Sequence, residues 1–458
     1  MDKNAQQNAK FKKMTESPVE RLVCSMAVPT IISMLITSLY NMADTFFMGR
    51  ISVSATGAIG IVFSLMAIIQ ATGFFFGQGS GNYISRMLGQ QNLKAASTMA
   101  SVGFFSAFFI SIIFSLLGLY FLTPLATLLG STPTILPYAE EYMQIILLGL
   151  PFMATSLVLN NQLRLQGDAA FGMIGISCGA ILNVILDPIF IFYFDMGIAG
   201  AAWATIFSQF ISFTILIICC QRSSSMTIKF SSFKPTRQLY LEIITGGFPS
   251  LARQGLASAS FVAFNNILGL YGDAAIAAMS IVQRVTFLAT ASLLGFGQGF
   301  QPVCGFNYGA KLYKRVTTAY LFCLKTSTLV LIGWSLLGFI FAPEIIAAFC
   351  NGDPEVLKIG IKAFRLQLLS LPFIGLVIIT NMLLQNIGAF LGASILAVAR
   401  QGMFFLPLVL LLPNILGLLG AQISQPLADF FSFLIAVPFG WHVFKMLKKK
   451  SEPQKIIN

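Results

Sequence analysis

Twelve apolar runs of about twenty residues or more follow one another along the chain, near 22–46, 54–80, 97–121, 137–160, 170–194, 198–221, 240–268, 274–300, 317–341, 357–385, 391–412 and 418–443. At about 1.5 Å rise per residue, each matches the roughly 30 Å hydrocarbon core of a bilayer. In that medium backbone N–H and C=O groups must be satisfied internally, and runs this long and continuous do so as helices. Composition agrees. Of 458 residues, 56% are hydrophobic and only 10% charged, against about 25% charged in soluble domains. The expected fold class is an all-α polytopic membrane protein with twelve transmembrane helices.

The charges give the direction of threading. Basic residues occupy alternate connections: Lys3, Lys10, Lys12, Lys13 and Arg21 before the first run, then Arg86 with Lys94, Arg164, the set Arg222, Lys229, Lys234 and Arg237, the set Lys311, Lys314 and Arg315, and finally Lys445, Lys448, Lys449 and Lys450. The opposite connections are bare or carry Asp195, Asp273, Glu344, Asp353 and Glu355, with Arg50 alone out of step. Basic loops stay cytoplasmic, so both termini are expected inside. The net charge of +12 is thereby a topology signal, and no nucleic-acid partner is expected. The N-terminal stretch lacks a signal-peptide pattern, so the first run is read as a retained span. The seven cysteines show no metal spacing or paired framework and read as small apolar residues.

The sequence also repeats. At a shift of 220 residues Pro29 falls on Pro249, Gly49 on Gly269, Phe76-Gly77-Gln78-Gly79 on Phe296-Gly297-Gln298-Gly299, Gly89 on Gly309, and Lys94 on Lys314; Gly197 and Gly200 fall on Gly417 and Gly420, and Pro188 meets Pro407 at 219. Six spans return the chain to its starting side, so the two units are parallel repeats with a pseudo-two-fold axis along the membrane normal, an architecture found in alternating-access transporters. The expected division is an N-lobe at 1–221, a Ser-rich basic linker at 222–239, and a C-lobe with a basic tail at 240–458.

Among the ionisable groups inside the spans, the acids that stand out are Asp44, Asp187 and Asp429, and the bases Arg253, Arg284 and Arg400. A carboxylate at the bilayer centre costs about 2.5–3.5 kcal/mol on insertion scales, so each acid is expected to have partners and a task. Asn183 precedes Asp187 by one turn on the same helix face. Pro188 follows and removes a backbone bond, leaving a carbonyl near the acid. Counting about 1.5 Å per residue from the span edges places Asp44 and Asp187 roughly 25–30 Å up, in the outer half, with Thr205 of the returning span at a similar level and Tyr40 one turn before Asp44. Tyr40, Asp44, Asn183, Asp187 and Thr205 thus form one expected cluster. Two carboxylates in low dielectric either share a proton or hold a cation between them, and both outcomes give ion coupling. The plainer alternative is a hydrogen-bonded network tethering three helices, and two acids make a costly tether.

The repeat partner of Asp44 is Phe264, and that of Asp187 is near Leu406. The acids are therefore kept in one lobe only. The second lobe instead offers Arg253, Gln254, Gln283, Arg284, Asn381, Gln385 and Arg400, which line a polar cavity, snorkel, or pair internally. Asp429 is a candidate partner for Arg400, as a structural ion pair or as a transport element. No enzyme chemistry is evident. The lone histidine, His442, sits near the end of the last span. The Gly-rich FFFGQGSG lacks the lysine of a phosphate loop, so an ion gradient is the expected energy source rather than ATP.

Pro29, Tyr40 and Asp44, the doubled GQG loop, and Asn183-x3-Asp187-Pro188 with Thr205 together resemble the multidrug and toxic compound extrusion (MATE) family, in its bacterial MepA-like and DinF-like branch, over nearly the whole chain. The resemblance implies two six-helix lobes around a central cavity in the bacterial inner (cytoplasmic) membrane. It implies export of cationic and amphipathic drugs by alternating access, in exchange for H⁺ or Na⁺. No bound cofactor and a monomeric chain are expected. It assigns Asp44, Asn183, Asp187 and Thr205 to the cation site, the candidate Na⁺ position, with Tyr40 beside it and Pro29 as the bend of the first helix. Acids that another branch carries in the seventh and tenth helices are absent here. A lipid-linked oligosaccharide flippase of related fold is the alternative, and it would want a strongly basic cavity.

Overall fold

Every apolar run becomes a helix in the computed structural model, which describes residues 3–48, 53–223, 226–350 and 353–452. The elements in order are α1 (Lys3–Glu16), α2 (Val19–Met48), α3 (Val53–Gly89), α4 (Leu93–Tyr120), α5 (Leu122–Leu128), α6 (Leu136–Leu165), α7 (Ala169–Pro188), α8 (Gly197–Arg222), α9 (Arg237–Gly269), α10 (Asp273–Gly309), α11 (Tyr313–Ile340), α12 (Ala342–Ala347), α13 (Pro354–Ile387), α14 (Phe390–Val398), α15 (Leu406–Leu416) and α16 (Leu418–Ser451). A π-helical turn, Ile189–Tyr193, extends α7, and another, Ala399–Phe405, joins α14 to α15 into one span. Among the described residues twelve helices are long enough to cross a bilayer, arranged as two six-helix lobes, and there is no strand.

Eleven of the twelve hold a window that is apolar enough for a membrane by composition alone. The other, α9, is 33 residues long, but Arg253, Gln254, Asn265 and Asn266 dilute its apolar run. Several helices outrun their apolar segments. α3 continues to Gly89, α10 to Gly309, and α16 carries its basic tail as helix to Ser451. Around the outside, large apolar side chains such as Phe63, Leu116, Leu336 and Leu411 are exposed, as a lipid-facing surface requires. The windows of α6 and α13 are the most deeply enclosed, so each lobe wraps one central helix.

The 220-residue offset holds for the elements themselves. α3 and α10, α4 and α11, and the start residues of α5 and α12 coincide under it without slippage. It extends to single dihedrals. Gln91 and Lys311 both turn the chain with left-handed φ, at 60° and 61°, and Gly197 and Gly417 follow suit at 54° and 61°. Elsewhere element ends slip by a residue or more, and one mismatch lies beside the candidate site. The π turn follows Pro188 in the first lobe but precedes Pro407 in the second.

The lobes meet at the end that carries the basic connections. A Cβ on Gly89 would lie 2.1 Å from the Phe306 carbonyl oxygen, and one on Gly309 would lie 2.1 Å from that of Arg86. Only glycine permits α3 and α10 to cross so closely. Thr30 of α2 donates its hydroxyl to the Gly295 carbonyl of α10 at 2.6 Å. Arg86 of α3 bridges to Glu242 of α9 at 2.7 Å and to the Asn386 carbonyl of α13 at 3.0 Å.

The polar N-terminal stretch, expected only as a charged tail, is helix α1. It straddles both lobes at the basic end. Lys10 pairs with Asp168 at 2.5 Å on one side, while Asn307 and Arg315 donate to the carbonyls of Met14 and Ser17 on the other, at 3.1 and 2.6 Å. Burial pulls the Lys10 amine below its ordinary pKa, against the opposing pull of Asp168. Arg50, the basic residue out of step, lies outside the described residues.

Candidate functional site

In the first lobe, α7 and α8 pack closely enough that a Cβ on Gly179 would meet that of Ser212 at 2.8 Å. That approach brings the polar positions of the two helices together. Asn183, Asp187 and Thr205 are 2%, 0% and 3% exposed, and the Asn183 amide donates to the Thr205 hydroxyl at 3.3 Å. The Asn183 side-chain carbonyl meets no donor among the described residues. A buried carbonyl, a hydroxyl and a carboxylate are hard oxygen ligands, and a carbonyl without a donor suits a small hard cation. The site sits where α7 passes into its π turn. Pro188 cannot donate to the carbonyl four residues back, and such turns recur at functional positions.

α2 packs along α7 and carries Tyr40, half-buried. Asp44 lies on the last turns of α2; its side chain lies outside the described residues. Pro29 is inside α2, one residue before the Thr30 contact with α10. The helix that walls the site is thus also a helix of the lobe interface.

The second-lobe residues separate. Gln283 lines a cavity of about 220 Å³ together with Arg400, Gln401 and Gln425. Arg253 and Gln254 are half-buried on α9, and Arg284 is exposed. Asn381 is spent internally, donating to the Ala393 carbonyl at 2.6 Å and accepting from Gln385 at 3.0 Å; Gln385 borders a cavity of about 390 Å³ at the basic end. Asp429 is 1% exposed and pairs with Arg400 Nε at 2.7 Å. His442 is exposed.

Arg164 requires a correction. Counted by its place in the sequence as a loop charge at the basic side, it is 2% exposed and reaches from α6 across the lobe interface. Nη1 donates to the Gln298 carbonyl at 2.9 Å and to Gln301 Oε1 at 2.6 Å, and Nη2 to Asn161 Oδ1 at 2.7 Å. Gln78 and Gln301 exchange amide bonds at 3.5 and 3.3 Å, and Gln78 also donates to Asn161 at 3.2 Å. This buried polar network, centred on the doubled FGQG segments, joins α3, α6 and α10. The doubled motif was its signal; Arg164 gave none, because its depth depends on how far α6 runs before it turns.

The MatE family model matches residues 29–189 and again 249–412, two stretches starting 220 residues apart. Among curated proteins, the chain is 26% identical to the multidrug export protein MepA of Staphylococcus saprophyticus over 92% of its own length and 93% of the relative's. It is 26% identical to MepA of Staphylococcus aureus strain MSSA476 over the same shares. Among solved structures it resembles the outward-facing conformation of a multidrug resistance MATE family transporter of the MOP superfamily, with a TM-score of 0.89 at 23% identity, covering 95% of this chain and 98% of that one. It matches a MATE crystal structure in the bent conformation equally well, at 0.89, covering 96% and 99%.

Proposed function

We propose, since the chain belongs to the MatE family, that it is a multidrug exporter of the MepA type that expels cationic and amphipathic compounds in exchange for H⁺ or Na⁺. The observation that carries this is the sealed oxygen cluster of Asn183, Asp187 and Thr205 within membrane-spanning helices. Asp187, with Asp44 of α2, would take up the proton or sodium ion, and Asn183 and Thr205 would supply neutral oxygens. Coupling follows from α2. Neutralising the acids changes how α2 sits against α7, and α2 carries that change through Pro29 to the Thr30–Gly295 contact. A coupling ion shifts the balance of states only by binding one of them better, and the shared helix is where the difference arises.

The lobe boundaries belong to this reading: 1–221 couples the ion, 222–239 links, and 240–458 forms the second wall. So does the sidedness. The basic end is cytoplasmic in a bacterial inner membrane, with both termini inside, and the lobe contacts gathered there make this the outward-open state. The protein works as a monomer and needs no cofactor. The test is dye efflux from proteoliposomes under an imposed pH gradient and, separately, a sodium gradient. Efflux is expected with one of them. Absence under both, with folded protein, overturns the reading.

A further inference from the structure

Two positions of the first-lobe cluster have repeat partners that line a second-lobe cavity. The 220-residue offset carries Asp44 onto Phe264, and Thr205 onto Gln425; both line the cavity of about 220 Å³ between α9, α10, the α14–α15 π segment and α16. Where the first lobe buries an acid, this cavity presents Arg400 on the π segment.

Arg400 is held in place. Asp429, whose side chain is 0% exposed, accepts from Arg400 Nε at 2.7 Å, Gln425 at 2.8 Å, Ser370 at 3.1 Å and Gln367 at 3.2 Å. That carboxylate is therefore satisfied from within the protein. The Arg400 side chain is 22% exposed, and among the described residues neither Nη group makes a hydrogen bond. A tether between α16 and the π segment needs only Nε. It leaves the Nη edge without a hydrogen bond among the described residues, on a side chain that lines the cavity. Arg253 lies within electrostatic range of Arg400, so the pair of arginines leaves one positive charge after Asp429 is counted. Around the edge stand Phe261, Phe287 and Phe405 as an aromatic wall, and Gln283, Gln401 and Thr286 as polar contacts; the buried Thr286 hydroxyl is unpartnered among the described residues.

A planar fork of donors facing an aromatic wall is complementary to a carboxylate carried on a ring. We infer that this second-lobe cavity binds the anionic group of an aromatic amphiphile, with the Arg400 Nη edge on its carboxylate and its ring among Phe261, Phe287 and Phe405. The ligand class goes beyond the export reading, which concerns cationic and amphipathic compounds and a coupling ion held at the other lobe.

The test is equilibrium binding to the full chain in nanodiscs, with 1-naphthylacetate as probe and 1-naphthylethylamine as its cationic counterpart. The acid is expected to bind at least tenfold more tightly than the amine at this cavity. Arg400→Lys keeps the charge but loses the fork, and should weaken the acid tenfold or more while leaving the amine unchanged. Gln283→Leu with Thr286→Val leaves Asp429 and its partners untouched, so it tests the same contact should Arg400→Lys fail to fold; it should weaken the acid severalfold. An equal or stronger preference for the amine, or acid binding indifferent to both sets of changes in folded protein, overturns the inference. Because binding is read without a gradient, such a result leaves ion-driven export of cationic dyes standing.

Discussion

The two lobes are built on one scaffold, offset by 220 residues down to the backbone dihedrals of single turns, yet each treats its buried carboxylate differently. The first buries Asp187 one helical turn from Asn183, whose amide donates to Thr205. The second spends its carboxylate on four internal donors and turns the resulting fixed arginine toward a cavity. Duplication supplied the geometry. On the proposed reading, the few residues beside each π turn decide what it holds, so ion coupling and ligand selection could change separately in one fold.

The largest effect should come from the acid. Asp187→Asn keeps the size and removes the titration, and ion-driven dye efflux in proteoliposomes should fall to background, while Arg400→Lys leaves efflux of a cationic dye intact. If both variants lose efflux equally, the lobes do not divide the work. Next is Arg164→Ala, which removes three hydrogen bonds across or beside the lobe interface. Each buried polar group left unpartnered costs about 1–3 kcal/mol. Spin labels replacing Lys94 and Lys314, one in each lobe at the basic end, should show a widened population; an unchanged distance distribution would show that the glycine crossing alone holds the end shut.

Thr30→Val is milder. It deletes one interlobe hydrogen bond, about 1 kcal/mol, and so shifts the two-state balance roughly fivefold. Its distinguishing sign is that the same labels should respond less than to the Arg164 variant. The smallest effect belongs to α1. Burial disfavours the Lys10 ammonium more than Asp168 favours it, so undocked α1 binds the proton more tightly than docked α1. Docking should therefore strengthen as pH rises from the lowered Lys10 pKa through 10.5, the ordinary value. Lys10→Met should abolish that dependence at little cost. A spin pair between α1 and α10 measures it, and docking that weakens with rising pH would reverse the sign argued here.

Much of this was legible in the sequence. Hydropathy located twelve helices because lipid imposes a length, and the repeat appeared because glycine and proline keep their positions where backbones cross or turn. The Asn183–Asp187 pair announced itself as expensive polarity on one helix face, and Thr205 as its neighbour by depth. Arg164 was misread because charge counting sees order along the chain and not how far a helix continues; α3 and α10 likewise run on to Gly89 and Gly309. The docking of α1 was hidden because its partners Asp168, Asn307 and Arg315 are distant in sequence. The Arg400–Asp429 pair could be named from the spans that carry it, but which arginine edge remains unused needed coordinates.

Arg164, Gln78, Gln301 and the Gln298 carbonyl are partnered in one buried network joining α3, α6 and α10; were the lobes to part there, each would have to find solvent. In the proposed alternating-access cycle, opening that end is thus a wetting event, and an inward-facing form would carry extra hydration that the closed one lacks. Excluded osmolytes, which draw water from such crevices, would then act as inhibitors of the cycle without touching either binding cavity.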